Sequence, residues 1–212
     1  MSHHEGSIRV GRKNVGGGKV SCEKMNKKQK SWLLVGPVIF SFVMAMTSPI
    51  VHIYFMRLID ASVLAVANMI SVGIAAMTNT SVTRKGFLEW YDKHFTFIVV
   101  SDVLLFSVIS FAGMEWATIR FIGMAIINAI STTLWICVMQ NAINSVVKGK
   151  ELTIWQSLAS SYELYASLAG GLMILILGSI DIEIAIAIQC IANLIMGLAD
   201  LKARKLLVAG RR

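Results

Sequence analysis

Between Trp32 and Leu201 the chain alternates long apolar runs with short polar breaks. Crossing the hydrocarbon layer takes roughly 20 predominantly apolar residues in a helix. Runs of that kind fall at about 32–51, 60–80, 95–113, 117–139, 154–178 and 182–201. Lipid offers backbone groups no partner, and a helix satisfies them internally, so the pattern predicts six membrane-spanning helices. Strand-like alternation is absent, which argues against a barrel. The expected fold class is an all-α integral membrane protein. A basic cytoplasmic tail over residues 1–31 precedes a six-helix transmembrane domain over 32–205, and a short cytoplasmic tail over 206–212 follows it. The longest break, around Ser81–His94, leaves no room for a folded extramembrane domain. Whatever the chain does is therefore expected within the bilayer or at its edges.

Composition gives the same class. Hydrophobic residues make up 56% of the 212, and the mean hydropathy is +0.68. A soluble domain of this size leaves far more polar surface to water. The placement of charge adds an orientation. Of the 20 Lys and Arg, 8 precede residue 32. Arg84, Lys85 and Lys93 lie between spans two and three, and Lys148 and Lys150 between spans four and five. Lys202, Arg204, Lys205, Arg211 and Arg212 follow span six. The opposite breaks hold only Arg57 and Arg120 as cations, beside Asp60, Glu115, Asp181 and Glu183. The excess of cations marks the cytoplasmic side, so both termini are expected there, as an even number of spans requires. The expected location is a bacterial inner membrane. No aromatic residues interleave with the basic ones, so nucleic acid is not an expected partner.

The segment MSHHEGSIRVGRKNVGGGKVSCEK is glycine-rich, basic and poor in apolar residues, and disorder is expected there. Met25 opens MNKKQKSW and reads as an alternative start. The first span is too long for a signal peptide and others follow it, so it is expected to remain as an anchor. The Gly16–Lys19 run is not a phosphate loop, because Val20 stands where a Ser or Thr would hold magnesium. Cys22, Cys137 and Cys190 lack metal-ligand spacing, and neither a disulfide framework nor a cofactor is implied. Trp32, Trp90, Trp116, Trp135 and Trp155 fall near span ends or in the longest break, where their amphipathic rings favour the membrane interface.

Residues four apart share a helix face. Such stripes run through Ala159, Glu163, Ser167 and Gly171 in span five, and through Ala185, Gln189, Asn193 and Gly197 in span six. Span four offers Met124, Asn128 and Thr132, and span two Ala67, Ser71 and Ala75. Small residues at this spacing let backbones approach, and amides bond across helices. These faces therefore turn inward, either as packing seams or as the lining of a polar cavity. Asp102 and Glu163 ask for more. Both helices run outward from the cytoplasm, which puts the two acids at similar depths, on the order of 11–14 Å along each helix. A carboxylate at that depth costs about 2.5 kcal/mol or more unless it is paired, protonated or wetted. No Lys, Arg or His lies within a span core, and Arg120 is expected to be too shallow to pair with either acid. Glu163 is thus the leading candidate for exchanging a proton or pairing with a cationic substrate, with Asp102, Asn128, Gln189 and Asn193 as candidate neighbours.

Enzymatic chemistry finds no support. His3, His4, His52 and His94 all lie outside span cores, so no Ser/His pair can form in the membrane. Asp102 and Glu163 sit in no paired-aspartate protease motif. Pro37 and Pro49 are the only prolines and neither follows Asn, which excludes a channel of the twin Asn-Pro-Ala type.

The stretch NAINSVVKGKELTIWQSLASSYELYASLAGGLMILILG, Asn141–Gly178, resembles the passage from the fourth to the fifth helix in the major facilitator superfamily. There a short charged cytoplasmic loop leads into a small-residue helix ending in glycine pairs. The six-span layout likewise resembles one half of such a transporter. The family marks the loop after its second helix with glycine, an acid and Gly-Arg-Lys/Arg. Ala76, Thr80, Thr83, Arg84 and Lys85 occupy those places here, so the resemblance implies a gating role for Arg84 and Lys85, while both glycines and the acid are missing. The fifth-helix glycine-proline pattern of antiporters is also incomplete, since Gly170-Gly171 has no proline beside it.

The resemblance implies a small-molecule exporter or permease, proton-coupled through Glu163, with a homodimer rebuilding the complete transporter. Two other readings stand beside it. One is a non-transporting chain, either a degenerate half-transporter or a membrane interaction protein such as an immunity factor or assembly subunit. The other is the membrane subunit of an ATP-driven exporter. The expected partners are the lipid bilayer, a small-molecule substrate, and a second copy or another membrane protein.

Overall fold

The computed structural model describes residues 25–82, 86–113, 116–147, 149–178 and 180–209. The tail segment before Met25, the pair Arg84 and Lys85, and residues 210–212 lie outside them. Among the described residues the chain is all-helical, without strands: α1 Lys27–Leu58, α2 Ala61–Val82, α3 Phe87–Ser110, α4 Ala117–Val146, α5 Lys150–Leu177 and α6 Ile182–Ala209. The five helices α1, α2, α3, α5 and α6 are long and apolar enough to cross a membrane, and α4 carries a shorter apolar run, Ala117–Thr133.

Several boundaries differ from those predicted, for one physical reason. Hydropathy marks where hydrocarbon would lie, whereas helical hydrogen bonding continues into polar sequence. The N-terminal tail was expected to run to residue 31, yet α1 begins at Lys27. A reciprocal cap starts it: Asn26 Oδ1 accepts from the Gln29 amide and Gln29 Oε1 accepts from the Asn26 amide, both at 2.8 Å. Helix α6 continues to Ala209, into the C-terminal tail expected from residue 206, and Leu207 there is fully buried. The break around Ser81–His94 is shortened, because α3 begins at Phe87. Its first turns are held by Phe87, Tyr91 and Phe95, spaced four apart, with successive ring centroids 6.3 and 6.0 Å apart. Glu89, Asp92 and Lys93 are exposed, and together with His94 they interrupted the hydropathy pattern.

Turn chemistry separates the helices. The Asp60 carboxylate accepts from the Ser62 amide at 3.2 Å, and Asp181 does the same for Glu183 at 2.9 Å, so an aspartate caps both α2 and α6. Gly149 and Gly178, at φ 64° and 70°, bound α5 in backbone geometry that disfavours any side chain.

Helix α1 packs against α5 and α6, α4 against α2 and α3, and α3 against α6. Small residues make these approaches possible. A Cβ on Gly36 would come within 3.0 Å of Ala199, and one on Gly197 within 3.0 Å of Val103. For α5 the close approach falls at Gly170, where an added Cβ would lie 2.1 Å from the Phe42 carbonyl oxygen. Gly171, the glycine assigned to the predicted seam, has nothing within 4 Å of such an atom. The α5 seam therefore runs 159, 163, 166, 170, following the true helical repeat rather than a strict step of four.

Two packed clusters close the bundle. One lies at the end where α1 begins and α6 finishes, and includes Leu33, Tyr91, Phe95, Met139, Trp155 and Leu207. Trp155 is buried there, whereas Trp32, Trp90 and Trp116 are exposed. The other cluster, at the opposite end, is built on Val51, Phe55, Ile59, Phe106, Ala185 and Ile186.

Candidate functional site

Between the two clusters the helices part. A cleft of about 490 Å³ is lined by Pro37, Phe40 and Ser41 of α1, by one face of α3, by Asn128, Ser131 and Thr132 of α4, and by Asn193, Gly197 and Asp200 of α6. From α5 it receives Glu163 alone. Four of the five residues predicted as a site, Asp102, Asn128, Glu163 and Asn193, thus line one space. The cleft is open to one side, since Asn128 and Thr132 are exposed at its wall.

The lining follows from helical spacing. On α3, Tyr91, Phe95, Ile98 and Asp102 fall at steps of four, three and four, one continuous face. On α6, Asn193, Gly197 and Asp200 follow the same geometry. Pro37 places a residue without an amide hydrogen in the middle of α1, so the Leu33 carbonyl receives no helical bond from it.

The two acids of the cleft, Asp102 and Glu163, differ in their surroundings. Asp102 is half-buried and its Oδ1 accepts a hydrogen bond from the Ser131 hydroxyl across α3 and α4. Glu163 is also half-buried, and among the described residues it has neither a hydrogen bond nor an ion pair. A carboxylate held without a protein partner has a place for water, a proton or a cation.

Gln189 is placed differently. Its side chain is buried, donates to Thr47 at 3.0 Å, and borders a smaller void of about 150 Å³ beside the cleft. The smaller void shares Phe40, Asp102, Asn128, Ser131 and Asn193 with the main one.

Arginines anchor both ends. Arg204 pairs with the Asp92 carboxylate, donates to the Asp92 carbonyl at 2.8 Å, and lies 4.5 Å from the Phe95 ring centroid beneath the cleft. At the other end Arg120 is 2% exposed, donates to the Ser110 carbonyl at the close of α3, and lies 3.9 Å from Glu183. Arg120 is engaged there with Ser110 and Glu183 rather than with Asp102 or Glu163.

Sequence reasoning missed Ser131, Tyr91 and Asp200. Asp200 was within reach, because it lies seven residues beyond Asn193 on the same stripe. Ser131 shares a face with Asn128 three residues away. Tyr91 was hidden by the interrupted hydropathy at the start of α3. No protein-family model, curated protein or solved structure matches this chain.

Proposed function

We propose that the chain is a six-pass transporter of a small molecule in a bacterial inner membrane, with both termini cytoplasmic and the cleft as its substrate site. One observation carries this reading: Asp102, Asn128, Glu163 and Asn193, from four different helices, face a common space between two packed ends. Polar groups inside a membrane are costly, and their convergence on a cavity is what a permeation route requires.

Part of the helix contact pattern is compatible with an internal repeat. Exchanging α1–α3 for α4–α6 turns the α1–α6 contact into α4–α3 and the α1–α5 contact into α4–α2, while α3–α6 and α1–α4 map onto themselves; the lighter α2–α3 and α4–α6 contacts have no matching counterpart. Three short-looped crossings per repeat would set the second repeat upside down relative to the first. Inverted repeats of this kind pack around midplane substrate sites. The open side of the cleft suits a second copy, so the transporter is a homodimer in this reading. Glu163 is the proton-coupling carboxylate, and Arg84 and Lys85 belong to the cytoplasmic gate.

The test is flux into proteoliposomes under an imposed pH gradient, across a panel of cationic, neutral and anionic solutes. The reading expects gradient-driven flux of at least one solute, reduced to background in Glu163→Gln with the protein still monodisperse. Absence of flux for every class, or flux indifferent to Glu163→Gln, overturns it.

A further inference from the structure

We infer that the cleft takes a lipophilic organic cation: a permanently or readily charged centre carried on an aromatic or alkyl body. This rests on the cleft being the substrate site. Asp102, Glu163 and Asp200 bring three carboxylates to one wall system, and among the described residues none that lines it is Lys, Arg or His. The cation beneath the floor, Arg204, is committed to Asp92 and to the Phe95 ring.

Around the acids the surface is apolar and aromatic. Phe40, Tyr91, Phe95 and Phe97 contribute rings, whose faces attract positive charge. A volume of about 490 Å³ falls within the range of drug-sized sites. A sugar or other polyol would find partners in Asn128, Asn193, the carboxylates and the hydroxyls of Ser41, Ser101, Ser131 and Thr132, but most of the lining surface is apolar and would leave much of its polar periphery unmatched. An anion would meet the carboxylates of Asp102 and Glu163 with no Lys, Arg or His among the described lining residues. A hydrophobic cation meets both features: its body displaces water from the rings, and its charge sits by the partnerless Glu163. Asp102, held by Ser131, gives a second negative site on the facing helix.

Two probes of matched size and shape and opposite charge, tetraphenylphosphonium and tetraphenylborate, decide the matter on the unaltered protein. Equilibrium dialysis of the full chain in nanodiscs should show saturable binding of the cation and only non-saturable partitioning of the anion. Glu163→Gln should weaken cation binding by about tenfold or more, the loss of one close charge pair at a half-buried carboxylate. Equal binding of both ions, or no saturable binding of the cation, overturns the inference without any variant having to fold. Cation binding without flux would support the inference while removing the transport reading. Flux of a neutral or anionic solute without tetraphenylphosphonium binding would overturn the inference and leave the transport reading standing.

Discussion

Gln189 on α6 donates its side-chain amide to the Thr47 hydroxyl on α1 at 3.0 Å, and Thr47 passes the bond to the Val43 carbonyl at 2.7 Å. Both side chains are almost wholly buried. The pair ties together the two helices with the most extensive mutual packing, and it turns a residue expected in the polar cavity into a structural link. A polar tie inside a membrane protein contributes about 0.5–2 kcal/mol. Gln189→Leu should therefore lower thermal stability by that order, and Thr47→Val by at least as much because it leaves the Gln189 amide buried without its acceptor. Melting curves of the two variants and their double mutant check this. The double mutant should lose less than the sum, and strict additivity would contradict the link.

The two adjacent glycines of α5 should behave oppositely. Gly170→Ala forces a methyl into the Phe42 backbone, where the helices must separate. Overpacking of this kind costs about 1–3 kcal/mol. Gly171→Ala meets open space and should be neutral or slightly stabilising. Melting temperatures of the two variants in the same detergent decide the order. A reversed order would place the seam where the strict four-residue step had predicted it.

Arg120 and Glu183 should contribute unequally. Arg120 is buried and satisfies the Ser110 carbonyl at the negative end of α3, whereas Glu183 is half exposed. Arg120→Ala should cost about 1–3 kcal/mol through the lost charged hydrogen bond. Glu183→Gln should cost under about 1 kcal/mol, as exposed ion pairs do. Equal losses in a denaturation series would mean that the ion pair, rather than the carbonyl contact, holds this end.

The sequence made the all-helical class plain because apolar length is nearly all that a lipid-facing helix requires. It made Asp102, Asn128, Glu163 and Asn193 visible because each is a polar exception on an apolar helix. Three things escaped it. Helix ends were misplaced at Phe87 and Ala209, since aromatic spacing and buried aliphatic residues extend helices beyond the apolar run. Gly170 and Gly171 could not be told apart, because a small drift from a four-residue step decides which glycine faces the neighbour. The roles of Gln189 and Asn193, four residues apart on one stripe, diverge only through Thr47, a contact 142 positions away in sequence.

The account depends on Glu163 looking into a hydrated cleft. The most direct measurement is thiol accessibility in membranes, in a variant whose three native cysteines are replaced. Glu163→Cys and Leu164→Cys are compared with a membrane-impermeant reagent. Leu164 is 70% exposed on the bare bundle yet does not line the cleft, so lipid should cover it. The account predicts rapid labelling at position 163 and little or none at position 164. Position 163 as inert as position 164 would contradict it.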